Sequence, residues 1–211
     1  MGKRIIALIR KDLRFNWQIV AGVLAIAVVF MPVSWIEAQF EGGWDLRYPW
    51  QWCWFVAAAG FLVVNPSLRI EQGASTKSFL AGLPFTMKEL FLSKIIENVV
   101  YTILCAGILT FGFLIVAFPM DLKYLWLGVP VSIFCNTIYA GINYLADFEK
   151  AQIFLLSAVM VPMIAGGWMK VDFAAMAFFA NPAVSAGASA VMLLLSIVMI
   201  VLMCKRKRSI L

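Results

Sequence analysis

Apolar runs recur six times along the chain, at residues 17–36, 50–68, 96–118, 122–145, 151–169 and 182–203. An α-helix rises about 1.5 Å per residue, so each run is near the length that crosses the ~30 Å hydrocarbon layer of a bilayer. The pattern predicts an all-α integral membrane protein in which residues 17–211 form a single domain of six transmembrane helices. Pro119, Met120 and Asp121 separate the third run from the fourth, and residues 147–150 separate the fourth from the fifth. Such short connections make antiparallel neighbours. The apolar stretch 170–181 is too short to span and reads as a surface helix or a re-entrant pair.

The polar positions are as ordered as the apolar ones. Residues 69–94 form the longest stretch that hydrocarbon would reject, with Glu71 and Gly73 near its start, Phe79, Leu80 and Leu83 as an apolar component, and Lys88 after the Leu83-Pro84 break. Residues 1–16 are too charged to insert. At about 100° per residue, Lys3, Arg4, Arg10, Lys11 and Arg14 fall on one arc and Ile5, Ile6, Leu8, Ile9 and Leu13 on the other, with Asp12 the exception. That segregation predicts an amphipathic helix lying in the membrane interface before the first span. In the fourth span Asn136, Tyr139 and Asn143 share one helical face, which must turn toward other helices or an aqueous path. Pro66 and Pro130 mark kinks or helix ends.

Composition agrees with the pattern: hydrophobic residues make up 64% of 211 positions and charged ones 13%, with a mean hydropathy of +0.93. The net charge of +6 does not point to nucleic acid, because of where it sits. All of the 17 basic residues except Arg47, Lys123 and Lys170 fall on one side if the spans alternate. The positive-inside rule then makes both termini and the 69–94 loop cytoplasmic, and the basic Lys205–Arg208 tail faces anionic lipid. Trp35, Trp44, Trp50, Trp52, Trp54, Trp126 and Trp168 gather at the expected outer ends, as an aromatic belt does.

Chemistry is sparse. There is no His, the four Cys lie in or beside apolar runs without C-x-x-C spacing, and no carboxylates repeat at helical spacing inside a span. Acid–base and metal-assisted catalysis therefore lack their parts. Gly73-Ala74-Ser75-Thr76-Lys77-Ser78 is too short in its lead to the lysine to be a phosphate loop, so ATP is not expected to be bound or hydrolysed on this chain. Glu97, one turn inside the third span, is accounted for by an i,i+3 pair with Lys94 at the interface.

Three segments carry a family resemblance: LIRKDLRFNW at 8–17, IEQGASTKSFLAGLPFTMKELFLSK at 70–94, and Pro130, Gly141 and DFEKA at 147–151. Together and in this order they resemble the ABC-2 type transporter permeases, specifically the compact six-span bacterial group of peptide and antibiotic exporters. The family pattern often carries Arg soon after the Leu-Pro, where this chain has Lys88 as its nearest basic residue. The resemblance implies an elbow helix at the N-terminus and a cytoplasmic coupling helix within the 69–94 loop, between spans two and three. Glu71, Gly73, Phe79, Leu80, Leu83, Pro84 and Lys88 are the residues it implicates in contact with an ATPase subunit. ATP and Mg would be held by that partner, and a second permease subunit, in a homo- or heterodimer, would complete the export path in the bacterial plasma membrane. The aromatic and aliphatic surface suits an amphipathic or apolar substrate, such as a peptide, an antibiotic or a lipid-like molecule. Two other roles fit a polytopic chain: a substrate-capturing subunit of an uptake system, or a membrane immunity or scaffold protein with no ATPase.

The charge map generates a topology test. A fluorescent protein fused after Leu211 is expected to fluoresce and alkaline phosphatase fused there to stay inactive; the opposite pair of results overturns the orientation.

Overall fold

The computed structural model describes residues 2–40, 50–71, 85–115, 122–146, 149–154, 157 and 181–205. Among them every regular element is helical: α1 (Gly2–Phe40), α2 (Trp50–Glu71), α3 (Met87–Ile115), α4 (Leu122–Leu145) and α5 (Pro182–Lys205), with residues 149–154 also helical. Of these, α3, α4 and α5 are long and apolar enough to cross a membrane. The fifth expected run lies largely outside the described residues, as do Gly73, Phe79, Leu80, Leu83 and Pro84.

Two boundaries differ from those expected. The N-terminal helix does not end near residue 16; α1 runs unbroken from Gly2 to Phe40. Neither Gly nor Pro stands between Lys3 and Val20 to interrupt it, and the change from charged to apolar composition alters its surroundings without altering its backbone. The apolar run predicts a third span from Ile96, yet α3 starts at Met87. Thr86 and Glu89 form a capping box: the Glu89 amide donates to Thr86 Oγ1 at 3.2 Å and the Thr86 amide donates to Glu89 Oε2 at 3.0 Å. Helices also pass through both prolines, with Pro66 inside α2 and Pro130 inside α4.

Helix α4 is central, packing on α2, α3 and α5, while α1 lies against α2 and α3. Two apolar layers fill the bundle. One contains Val56, Ala59, Cys105, Ala106, Leu109, Phe113 and Leu125. The other contains Val64, Leu68, Phe91, Ile95, Tyr139 and Ala140, with Phe61 edge-on to Tyr139 at 5.1 Å. Between them along the chain sits a polar layer. The Ser132 hydroxyl lies 3.2 Å from Ala57 O, 3.2 Å from Asn98 Oδ1 and 3.0 Å from Thr102 Oγ1. In hydrocarbon such groups must find partners on neighbouring helices.

Close approach of backbones makes that layer reachable. A Cβ at Gly60 would collide with Asn98 Oδ1, Thr102 Oγ1 and Ser132 Oγ, and one at Gly128 would lie 2.6 Å from Cys53 O and 2.8 Å from Val56 Cβ. The outside of the bundle is apolar, with Phe111, Leu114 and Ile115 of α3 and Leu194, Ile197 and Leu202 of α5 exposed. Of α5 only Ser196 is buried, and its hydroxyl donates to Met192 O at 2.7 Å within the same helix. A surface of this kind calls for lipid or protein cover.

The glycine contacts predict a contrast. Gly60→Ala should cost about 1–3 kcal/mol of stability by forcing the polar layer apart, whereas Gly107→Ala, whose Cβ would meet nothing within 4 Å, should be neutral or stabilise by up to about 1 kcal/mol. Thermal unfolding of the two variants in micelles reads the difference.

Candidate functional site

One end of the bundle holds an ion cluster assembled from four helices. Leu8, Asp12 and Asn16 are spaced four apart, so they form one stripe on α1, and that stripe is buried against the bundle. Asp12, the charge that spoilt the amphipathic arc, thus points inward. Ile6 and Leu13 remain exposed on the apolar arc, as do Lys3, Arg4, Arg10, Lys11 and Arg14. The expected basic face is therefore at the surface.

Lys94 of α3 is fully buried and is the centre of the cluster. Its ammonium pairs with Asp12 and, at 2.9 Å, with Glu71 Oε1, the last residue of α2. Lys11, with a half-exposed side chain, adds pairs to Asp12 at 3.1 Å and to Glu71 at 3.3 Å. The Tyr144 hydroxyl of α4 donates to Glu71 Oε2 at 2.8 Å, and the Tyr144 ring stands edge-on to Phe91 at 6.1 Å. Glu97 is buried beside Asp12 within hydrogen-bonding reach, yet its Oε1 has no hydrogen-bond partner among the described residues. The i,i+3 pairing expected of Lys94 and Glu97 gives way to longer-range partners, because the Lys94 ammonium is taken by Asp12 and Glu71.

Burial works against ionisation of Asp12, but the ammonium groups of Lys94 and Lys11 outweigh it and hold the Asp12 carboxyl below the usual carboxylate range. A carboxylate with a lowered pKa stabilises the fold above its unfolded value and loses that contribution as pH falls through the folded one. The Asp12 bond to Lys94 is thus kept through the ordinary carboxylate range and is lost only as pH falls through the lowered value.

The polar face of α4 is turned inward. Asn136, Tyr139 and Asn143 are all buried. The Tyr139 hydroxyl donates to Asn65 Oδ1 at 2.5 Å, and Gln152 Nε2 reaches both Asn65 Oδ1 at 3.0 Å and the Tyr139 oxygen at 3.1 Å. Asn136 Nδ2 donates to Ser132 O at 2.9 Å, while its Oδ1 has no partner among the described residues. Tyr139 thereby ties α4 to α2 and to helical residues 149–154. Of the residues implicated in partner contact, Glu71 is engaged inside the chain and Lys88 is exposed on the first turn of α3. Among the described residues no group of three or more His, Cys, Asp or Glu could hold a metal ion.

Sequence reasoning passed over Asp12 and Lys94 as functional residues. Their signals were present: a lone acid inside an apolar arc, and a lysine one turn before a span. Their pairing across 82 positions was not.

The fold and site together define an all-helical membrane bundle with an internal ion cluster at one end. No family model, curated protein or solved structure matches the chain.

The unequal exposure of the two lysines sets a prediction. Lys94→Met should destabilise the protein by about 3–5 kcal/mol, since it strands buried carboxylates, whereas Lys11→Met should cost under about 1 kcal/mol. Thermal unfolding in micelles at neutral pH measures both, and the Lys94 penalty should shrink at pH values acid enough to protonate Asp12.

Proposed function

We propose that the chain is the membrane-spanning permease subunit of an ATP-binding-cassette exporter in a bacterial plasma membrane. It would work as one of two permease halves and be driven by a separate ATPase that holds ATP and Mg. In this reading α1 to α5 supply five of six spans, residues 2–16 serve as the elbow, and residues 72–84 belong to the segment that meets the ATPase. The substrate is amphipathic or apolar and is moved outward, in keeping with the ABC-2 likeness of segments 8–17, 70–94 and 130–151.

The observation that carries the reading is the clamp on both sides of residues 72–84. Glu71, immediately before them, is bonded to Lys94 and Lys11, and the chain after them enters α3 through the Thr86–Glu89 cap. A push on that segment would be delivered at once to α1, α2 and α3, because buried ion pairs and packed helices shift as units. A plain linker would have no use for such anchorage. Glu71 is assigned here to the clamp, which leaves Gly73, Phe79, Leu80, Leu83, Pro84 and Lys88 as the partner-contacting residues.

The test is purification of the tagged chain from its native membrane in mild detergent, followed by identification of what accompanies it. An ATPase with its own phosphate loop is expected at near-equal amounts, and the Phe79→Asp, Leu83→Asp double variant is expected to lose at least nine-tenths of it while still reaching the membrane. Absence of any such ATPase from the wild-type preparation, or full retention by the double variant, overturns the proposal.

A further inference from the structure

Among the described residues the charge inventory of the cluster does not balance. Three carboxyl groups, Asp12, Glu71 and Glu97, face two ammonium groups, Lys11 and Lys94. Among the same residues every ion pair formed by the two lysines goes to Asp12 or Glu71. Glu97 is 2% exposed, one of its oxygens has no hydrogen-bond partner among the described residues, and its carboxyl reaches Asp12. Two carboxyl groups within hydrogen-bonding reach of each other need a proton between them, since two ionised carboxylates would both repel and lack a donor.

We propose that Asp12 and Glu97 together bind one exchangeable proton, carried on Glu97 and donated in a hydrogen bond to the Asp12 carboxylate, so that α1 and α3 are joined through a proton-binding site. The orphan oxygen of Glu97 fits this arrangement. A buried carboxylate oxygen without a donor is far more costly than the carbonyl oxygen of a neutral acid. The other groups around the pair are accounted for on each helix packed against it: Lys11 on α1 and Lys94 on α3 are committed to their carboxylates, Glu71 on α2 is held by both lysines, and Tyr144 on α4 donates to Glu71. Tyr101 of α3 lies near Glu97 and contributes a neutral phenol. Release of the proton to bulk hydroxide forms water and leaves two adjacent carboxylates, whose repulsion acts directly between α1 and α3. The site stands whether or not an ATPase partners the chain.

Infrared spectroscopy of the full chain in lipid vesicles tests it. At neutral pH the wild type should show the carbonyl stretch of a protonated carboxylic acid, shifted by deuterium exchange and by ¹³C-glutamate labelling, and lost on titration to alkaline pH. Glu97→Gln should abolish that band. Asp12→Asn should abolish it too, because removing either carboxyl leaves two acids for two lysines and no need for the proton. A wild-type protein without a glutamate-derived band, a band that survives Glu97→Gln, or one that survives Asp12→Asn with Glu97 intact each overturns the proposal. The labelled wild-type band decides the matter even where a variant does not fold.

Discussion

The Lys94 ammonium is the constraint on which the rest of this end of the molecule depends. Removing an ammonium from water costs several kcal/mol, which only well-placed partners offset. Asp12 and Glu71 supply them from two other helices, and those acids draw further support from the Lys11 ammonium, which pairs with both, and from the Tyr144 hydroxyl, which donates a hydrogen bond to Glu71. One buried lysine thereby dictates the rotation of α1, the end of α2 and the placement of α4. Apolar layers alone would hold helices together, but slippage by one turn would cost them little. A charge with fixed partners does not tolerate that slip.

The polar layer deeper in the bundle works by a different rule. Asn98, Thr102, Ser132 and Asn136 carry no net charge, and their bonds are made where Gly60 removes the side chain that would keep α2 away. Close backbone approach and hydrogen bonding are coupled there: neither the glycine nor the hydroxyls would have this role without the other. Its strength comes from the absence of competing water, whereas the ion cluster draws its strength from Coulomb attraction across a short gap.

Much of this could be read along the chain. Helical character followed from the apolar runs, and the face carrying Asn136, Tyr139 and Asn143 followed from spacing. The inward orientation of that face followed from the cost of unpaired amides in hydrocarbon. The start of α3 is set by the Thr86–Glu89 capping box, a local signal that the composition of the apolar run does not carry. What could not be read is which distant residues meet. Asp12 looked like a flaw in an amphipathic arc, and nothing local reveals that its partner lies 82 positions away. Charge pairing across helices depends on rotation and tilt, which a one-dimensional pattern does not contain.

The order in which the cluster's members occur adds a consequence for biosynthesis. Asp12 and Glu71 both precede Lys94 in the chain, and Tyr144 follows it. When α3 leaves the ribosome, the two carboxylates that neutralise its lysine have already been made, on the two helices that precede it in the chain. The most expensive group in the bundle never has to wait for its counter-ions, and the tyrosine that arrives later only closes a pairing already in place.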